Sequence, residues 1–280
     1  MKNSLASITR IAGGELWLRR KFYRQFGYQL RTSQAATFTE KLFTRMIVLN
    51  RHCPVLYRQL ADKQTAREYV RSRLGNDVLI PMLWSGEDPN DIPFESLPER
   101  FVVKPNNGSG TVIVVREVFD KENIVKTARN WLAEDYYWRQ REAQYHGITP
   151  AVMIEELLGD PKSYPLDYKV WCFNGEPKLV QVDNHARSID LFYSTDWQKT
   201  SLTYRNNSEA DIPKPKNLTA LLDIARALSA GFDFARIDLY SIGDRAYFGE
   251  VTFTPRSGNF HFKPDSWNRI LGDWWTVNEW

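Results

Sequence analysis

The chain has 280 residues, 42% of them hydrophobic and 25% charged, so it can bury a large core and is not a disordered chain. The formal net charge is only +3, and the basic side chains are concentrated in residues 1–31, where seven Lys and Arg residues accompany the single acid Glu15. The two cysteines, Cys53 and Cys172, are far apart, which argues against a secreted disulfide framework and against a cysteine metal site.

The sequence shows no signal of a membrane-spanning or secretory segment. No apolar run approaches the roughly 18 residues that a membrane helix needs. The N-terminal segment also lacks the apolar region of a signal peptide. We therefore expect a cytoplasmic protein, and we expect no nucleic-acid partner.

The first predicted element is a basic, aromatic helix from Glu15 to about Leu30. We expect its aromatic side chains, among them Trp17 and Phe22, to pack on the body of the protein. The alternative is that residues 15–31 adhere to an acidic glycan or, as a peripheral contact, to the anionic inner face of the membrane.

The remaining pattern is typical of an α+β chain with mainly antiparallel sheets. Asn174-Gly175 and Gly243-Asp244 each join two apolar runs, which predicts β-hairpins at both places. Helices are predicted over residues 60–74, 120–137 and 218–230, and strands over residues 100–104, 111–116, 151–158, 167–173, 178–183, 235–240 and 246–254. Residues 78–83 form a short apolar run.

The last predicted hairpin carries two carboxylates. Alternation places Arg236 and Asp238 on one face of its first strand, and it places the even positions of the second strand, Glu250 and Thr252 among them, on one face of that strand. A three-residue loop, residues 243–245, would set Asp238 opposite Glu250 and Arg236 opposite Thr252. Facing carboxylates repel each other unless they share a proton or bind a divalent cation such as Mg²⁺. A solvated hairpin with ordinary surface charges fits the same pattern equally well.

A glycine-rich loop, residues 105–110, joins two predicted strands. Its small residues let backbone N–H groups approach a polyanion, and Lys104 at the strand end can reach phosphates. The loop is neither a Walker loop, which needs Gly-Lys-Ser/Thr at a helix start, nor a Rossmann glycine motif. An ordinary glycine hairpin is the alternative.

Two more lysines and a pair of glutamates stand out by position. Lys63 lies at a helix start and Lys169 in the middle of a strand among apolar neighbours, so each ammonium group must reach water or an anion. Glu155 and Glu156 end a buried strand, where backbone groups can meet a purine and a carboxylate can meet a ribose. An exposed acidic loop is the alternative for these glutamates.

The order of these motifs resembles that of ATP-grasp enzymes. The amino-acid sequences of the motifs resemble those of the TupA-like ATP-grasp family of teichuronopeptide and surface-polysaccharide biosynthesis. The resemblance spans roughly residues 20 to 270. The matching phrases are Phe38-Thr39-Glu40-Lys41, Leu60-Ala61-Asp62-Lys63, Phe101-Val102-Val103-Lys104-Pro105-Asn106, Asp167-Tyr168-Lys169-Val170-Trp171-Cys172-Phe173-Asn174-Gly175 and Tyr247-Phe248-Gly249-Glu250-Val251-Thr252-Phe253.

The resemblance implies ATP and Mg²⁺ as cofactors and a role for each matching residue. It implies that Lys63, Lys104 and Lys169 bind the phosphates and that Gly108, Ser109, Gly110 and Thr111 form a lid over them. It implies that Glu155, Glu156 and Leu158 line the adenine pocket and that Asp167 binds the ribose. It implies that Lys169, Arg187 and Arg236 stabilise charge in catalysis and that Asp238, Glu250 and Thr252 bind the metal.

One position departs from the wider pattern. Many members of the superfamily carry Asn where this chain has Thr252, and a hydroxyl would hold a second metal more weakly. The segment Arg256-Ser257-Gly258 follows, and by analogy it could clamp an acceptor or a carboxylate.

The resemblance also implies an ATP-grasp fold, in which two α+β lobes with mainly antiparallel sheets clamp the nucleotide. We expect a basic helical extension at residues 1–50, an N-terminal α/β lobe at 51–98, a small lobe with the glycine-rich loop at 99–158 and a large lobe with the metal-binding hairpin at 159–280.

The activity implied is ligation of a carboxylate to an amine through an acyl phosphate. The carboxylate would belong to a uronic acid of an acidic surface glycan, and the amine to an amino acid or peptide. The alternatives are a glycosyltransferase of polysaccharide biosynthesis, against which the absence of an Asp-x-Asp motif argues, and a non-catalytic glycan-binding protein.

Overall fold

A computed structural model describes residues 2–160, 164–184, 189–204 and 211–278, with side chains from Gly13 onward. Helices flank both sides of a large sheet. In the described part of the chain they are α1 (Lys2–Phe26), α2 (Phe38–Arg51), α3 (Val55–Ala61), α4 (Lys63–Leu74), α5 (Lys121–Leu132), α6 (Tyr137–Gln140), α7 (Leu218–Ser229) and α8 (Ser266–Trp274).

Two antiparallel sheets confirm the predicted α+β class. The strands are β1 (Met82–Gly86), β2 (Phe101–Pro105), β3 (Ile113–Val115), β4 (Val152–Glu156), β5 (Asp167–Phe173), β6 (Glu176–Asp183), β7 (Asp190–Ser194), β8 (Phe234–Ile242) and β9 (Arg245–Thr252). The smaller sheet has the order β1-β4-β2-β3, and the larger has the order β7-β6-β5-β8-β9. The division at residue 98 stays a prediction, although β1 shares a sheet with strands from beyond it.

The helix predicted over residues 60–74 is interrupted. Asp62 has an extended backbone (φ −80°, ψ 112°), and its carboxylate accepts the N–H of Gln64 at 2.9 Å as the N-cap of α4. Such a side-chain cap satisfies a helix-terminal donor and so favours a new helix start at this point. The helix predicted over residues 120–137 likewise ends earlier, at Leu132, and the N-terminal helix begins at Lys2 rather than at Glu15.

The strands also differ in part from what the sequence predicts. The apolar run at 78–83 is not a strand: Leu79 makes only an isolated bridge to Phe248, and the strand begins at Met82. The strand predicted over 111–116 is confined to Ile113–Val115. Strand β7 and helix α8 were not anticipated from the sequence.

The larger sheet is buried on both faces. One face carries Val170 and Ile237 into a core shared with α4 and α7. The other face carries Trp171 and Phe234 into an aromatic cluster beneath α2 and α8. Because side chains alternate along a strand, the polar residues Lys169 and Asp238 lie on this second face, further along the same strands.

Helix α1 packs against α2, as favoured from the sequence. Leu18 and Phe22 are fully buried against Phe43 and Met46. None of the helices in the described ranges is long and apolar enough to cross a lipid bilayer.

Candidate functional site

The β8–β9 hairpin sets two carboxylates opposite each other. Asp238 pairs with Glu250 and Arg236 with Thr252, as predicted. The predicted loop is wrong: Ile242 pairs with Arg245 instead of Ala246, so the turn has two residues.

A bulge between the paired positions restores the register. Leu239 pairs with Phe248 and Asp238 with Glu250, which leaves Gly249 as the extra residue on β9. The expectation that all even positions of β9 share one face is therefore wrong, because Phe248 packs into the core while Glu250 lies on the site face.

The hairpin carboxylates are held by an arginine. The Arg236 guanidinium donates to both oxygens of Asp238, at 2.7 and 2.6 Å, and to the Thr252 hydroxyl at 3.2 Å. The same guanidinium lies 3.8 Å from Glu250. Thr252 in turn donates to Glu250 at 3.3 Å, so its hydroxyl links the arginine to the second carboxylate.

The two carboxylates have different proton affinities, although both are buried. It raises the pKa of Asp238 to about 6, against the lowering effect of Arg236. Burial alone would also raise the pKa of Glu250, but nearby cations, Lys63 first among them, lower it below its ordinary value. The hairpin thus holds Glu250 as an anion with cations around it.

Lys63 connects the hairpin to the glycine-rich loop. It is the first residue of α4, its ammonium lies 3.8 Å from Glu250, and it donates to the carbonyl of Gly108 at 2.5 Å. The cap residue Asp62 also accepts from the Asn106 side chain at 3.0 Å, which ties the helix start to the loop. Burial lowers the pKa of Lys63, and the Glu250 carboxylate opposes this effect.

The glycine-rich loop has the conformation that its glycines allow. Gly108 and Gly110 have φ of 85° and 76°, in the left-handed region that favours glycine. A Cβ on Gly108 would lie 2.5 Å from the ring of Tyr136, so this ring fixes the loop base. Ser109 is exposed and Thr111 half-buried, which leaves the tip of the loop accessible.

Lys104 pairs with a second carboxylate, Glu155, and its charge also lowers the pKa of Glu250 and of Lys63. Its ammonium pairs with Glu155 at 2.5 Å, and Arg67 pairs with the other oxygen of Glu155 at 3.0 Å. Glu155 is buried, so its carboxylate is occupied by two cations rather than open to solvent. Glu156 is exposed, and Leu158 is half-buried beyond the end of β4. The adenine and ribose roles of this region stay predictions.

Lys169 reaches the hairpin from the neighbouring strand. It pairs across the sheet with Asp238, and its ammonium contacts Asp183 at 2.5 Å and Asp167 at 3.6 Å. Burial lowers the pKa of Lys169, but the surrounding carboxylates, led by Asp238, raise it above its ordinary value. Burial raises the pKa of Asp167 to about 7. Arg187, the remaining catalytic prediction, lies outside the described residues.

Sequence reasoning missed four residues near the site: Arg67, Tyr136, Glu142 and Asp183. Only Asp183 carried a sequence signal, because the hairpin at Asn174-Gly175 places the end of β6 beside the start of β5, and Asp183 pairs with Asp167. The other three come from segments whose approach depends on tertiary packing.

The residues of the hairpin fit a phosphate-bound Mg²⁺. This cation takes one or two carboxylates together with phosphate oxygens and water, and Asp238 with Glu250 supplies two. A carboxylate has about four lone-pair positions, so the two bonds from Arg236 leave acceptor capacity on Asp238. The described residues contain no group of three or more His, Cys, Asp or Glu that could hold a metal by themselves, so the phosphates would complete the coordination.

The family model that matches this chain decides its relationship. Residues 40–276 match the TupA-like ATP-grasp model. The chain belongs to the TupA-like ATP-grasp family. This membership confirms the family resemblance and the ATP-grasp fold that the sequence predicts, and the hairpin, the glycine-rich loop and the lysines described above all fall within the matched range.

Solved structures resemble this TupA-like protein at low identity. The D-alanine–D-alanine ligase from Helicobacter pylori is 12% identical over 78% of this chain and 61% of its own, with a TM-score of 0.49. The D-alanine–D-alanine ligase from Bacillus anthracis complexed with ATP is 15% identical over 70% and 54%, with a TM-score of 0.43. The RimK domain protein ATP-grasp from Sphaerobacter thermophilus is 15% identical over 78% and 67%, with a TM-score of 0.45.

The chain thus spans between about half and two thirds of the length of these solved structures. No curated protein matches it.

Proposed function

We propose that this protein is an ATP- and Mg²⁺-dependent ligase that joins a carboxylate to an amine through an acyl phosphate. The observation that carries the proposal is the convergence of Lys63, Lys169 and Arg236, from three separate elements, on the hairpin carboxylates Asp238 and Glu250. Buried cations around paired acids suit a site that receives a polyanion with its metal. Membership in an ATP-grasp family supports the nucleotide as that polyanion.

The residue roles proposed are those that the family resemblance implies. Lys63 and Lys104 bind phosphate oxygens, and the exposed tip of the glycine-rich loop covers them with backbone N–H groups. Asp238 and Glu250 would hold Mg²⁺, which supplies neutralisation of phosphate charge when bound. Glu155, Glu156 and Leu158 line the adenine site, and Asp167 binds the ribose.

The proposed reaction has two steps. The carboxylate oxygen of the first substrate attacks the γ-phosphorus, the bond from that phosphorus to the β–γ bridging oxygen breaks, and ADP leaves. The amine then attacks the acyl carbon, the bond to the phosphate oxygen breaks, and the amine proton passes to solvent. Arg236 and Lys169 stabilise the negative charge that develops, while positioning supplies most of the remaining acceleration. Arg187 shares this role in the proposal.

We propose a uronic acid of an acidic glycan as the carboxylate and an amino acid or peptide as the amine. The support is the family resemblance and the basic N-terminal helix, because cations favour an acidic substrate. We place the reaction in the cytoplasm, where ATP is available. Peripheral membrane contact through residues 15–31 stays a prediction, and the exposed large apolar side chains of that segment are Leu16, Tyr23 and Tyr28.

Phosphate release tests the proposal. Purified protein is incubated with ATP, Mg²⁺, carboxylate-¹⁸O uronic-acid oligosaccharides and a panel of amino acids and peptides. The expected result is phosphate that carries ¹⁸O from the carboxylate, lost in Glu250→Gln and retained in Glu134→Gln, whose glutamate forms only an exposed pair with Arg139.

Binding of nucleotides separates the alternatives. Thermal stabilisation by ATP with Mg²⁺ is expected. Stabilisation by UDP-sugars instead would favour the glycosyltransferase, and a thermal midpoint that no nucleotide changes would favour a glycan-binding protein.

A further inference from the structure

A basic cavity lies between α1 and the segment that follows β9. Its volume is about 550 Å³. From α1 it is lined by Trp17, Arg20, Lys21 and Arg24, and Asn259 contributes to its opposite side. We call this cavity the α1 pocket. None of the residues proposed for the nucleotide site lines it.

The α1 pocket carries positive charge that no acid neutralises at its surface. Arg20 and Arg24 are exposed, and within the described ranges neither has an ion pair. The neighbouring Arg19 differs, because it pairs with Glu15 at 2.9 Å on another side of the helix. The pocket therefore offers two arginines whose charge is available to an anion.

The spacing of the pocket residues on α1 explains why they face one way. Residues three and four apart lie on the same face of a helix, and positions 17, 20, 21 and 24 follow that spacing. The adjacent face, with Leu18 and Phe22, is buried against α2. Helix α1 is thus held by its apolar face and presents its cations and an indole ring to the pocket.

The three residues that precede the lining residue Asn259, residues 256–258, form a wall segment behind the pocket, and their backbone is strained. Arg256 and Ser257 have φ of 52° and 51°, a region that non-glycine residues seldom adopt. Helix α1 holds this segment: Lys21 donates to the Ser257 carbonyl at 2.8 Å, and Gln25 donates to the Gly258 carbonyl at 3.1 Å. Strain that the surroundings maintain is concentrated at binding sites.

The same wall connects the pocket to the hairpin. Glu142 is buried and accepts from the Thr254 hydroxyl at 2.5 Å and from the Ser257 hydroxyl at 2.9 Å. Thr254 follows shortly after Thr252, whose hydroxyl contacts Arg236. A ligand in the pocket would therefore lie beside the chain segment that leaves the candidate active site.

We propose that the α1 pocket binds an acidic saccharide chain, with the cations on its carboxylates, the amides on its hydroxyl groups and the indole of Trp17 against a sugar face. Arginine matches the planar geometry of a carboxylate, and an amide such as Asn259 both donates and accepts, as hydroxyl groups require. An aromatic ring offers apolar contact area to the C–H groups of a sugar. A lipid surface fits the pocket less well, because the exposed apolar side chains of the helix, Leu16 and Tyr23, do not line it, whereas the amides of Gln25, Gln140 and Asn259 do.

Lys21 supports this assignment. Burial lowers its pKa to about 8, against the opposing effect of Glu142. Its ammonium lies 5.2 Å from the centre of the Trp17 ring and donates to the Gln140 side chain at 2.6 Å. A carboxylate in the pocket would restabilise this partly desolvated charge.

The proposal rests on the proposed function only for the claim that the bound saccharide is the carboxylate substrate. Binding itself is therefore tested without ATP. The probe is an α-1,4-linked galacturonic acid hexasaccharide, titrated into the protein by calorimetry, and the matched neutral probe is maltohexaose. Polyglutamate of equal charge and vesicles with 30 mol% phosphatidylglycerol (roughly physiological anionic content) are the remaining arms.

Two double variants make the test specific. Arg20→Gln with Arg24→Gln removes two exposed charges from the pocket, and Lys126→Gln with Arg129→Gln removes two exposed charges from α5. We expect the pocket variant to weaken hexasaccharide binding about 5- to 30-fold, because it removes two charged contacts. We expect the α5 variant to leave binding within about twofold.

The outcomes distinguish this proposal from the proposed function. The proposal is supported if hexasaccharide binding depends on Arg20 and Arg24 and maltohexaose does not bind. This holds even if the wild type fails to bind ATP, because that result contradicts only the proposed ligase activity. Equal binding of polyglutamate or preferential binding to vesicles overturns it. Equal loss in both double variants, or no hexasaccharide binding by a protein that binds ATP, overturns it as well.

Discussion

Replacing Arg236 by lysine tests whether its guanidinium acts in catalysis or only in folding. Arg236 donates to both oxygens of Asp238 and to Thr252, and lysine keeps the charge but loses the planar fork. The structure supplies a matched control in Arg45. This residue is equally buried, pairs with Asp233 just before β8, and donates to the Phe234 carbonyl at 2.8 Å.

The expected magnitudes follow from these contacts. Each substitution removes about one charge-assisted hydrogen bond, so each should lower the free energy of unfolding by about 1.5–3 kcal/mol. For a chain of this length that corresponds to a fall in Tm of roughly 3–12 °C. Only Arg236→Lys should also lower kcat, by about 10²-fold or more, because it alone removes a donor aimed at the developing charge.

The assay measures Tm by calorimetry and kcat by phosphate release at saturating ATP, well below both Tm values. The account predicts two destabilised proteins, of which only the Arg236→Lys variant has a low kcat. Arg236→Lys with the kcat of the wild type, or equal losses of kcat in the two variants, would refute the catalytic role.

Three further changes probe the packing, the thiol and the phosphate site. Gly272→Ala should destabilise the protein by about 1–3 kcal/mol in urea titrations, because its Cβ would meet the α2 start, including the Thr37 Cα at 2.8 Å. The helical control Gly13→Ala, with open space around it, should stabilise by about 0.5–1 kcal/mol, and equal effects would contradict the packing. Burial raises the pKa of Cys172 to about 12, so iodoacetamide at pH 8 should label it only after unfolding, and rapid labelling of the native protein would disprove its burial. Lys63→Met should raise the Kd for ATP by about 10- to 100-fold, and an unchanged Kd would remove Lys63 from the phosphate site.

The carboxylate hairpin shows what alternation can and cannot predict. The facing of Asp238 and Glu250 is confirmed, but through two compensating differences: the turn is one residue shorter than predicted, and β9 contains one extra residue at Gly249. Either difference alone would shift the register and move Glu250 away from Asp238. A bulge leaves no periodic signal in the sequence. The predicted pairing could therefore be correct although the predicted turn length was wrong.

Contacts between residues that are distant in the sequence could not be predicted from the sequence. Asp62 lies within a continuous helical pattern, and an Asp at such a position can be either an N-cap or a residue on the helix surface. The sequence therefore did not show that a new helix begins there. Glu142 and Tyr136 approach the site only through the packing of α6 and its neighbours, and neither lies in a motif. Alternation was informative only for the pairing of Asp238 with Glu250, because both residues belong to one hairpin.

Calorimetric titration with a non-hydrolysable ATP analogue, with and without Mg²⁺, tests the central claim most directly. The account predicts that the wild type binds the analogue and that Mg²⁺ increases its affinity, whereas Asp238→Asn combined with Glu250→Gln abolishes the Mg²⁺ dependence. A wild type that binds no nucleotide under either condition would contradict the account. So would a double variant that retains the full Mg²⁺ dependence, because the hairpin would then have no part in holding the metal.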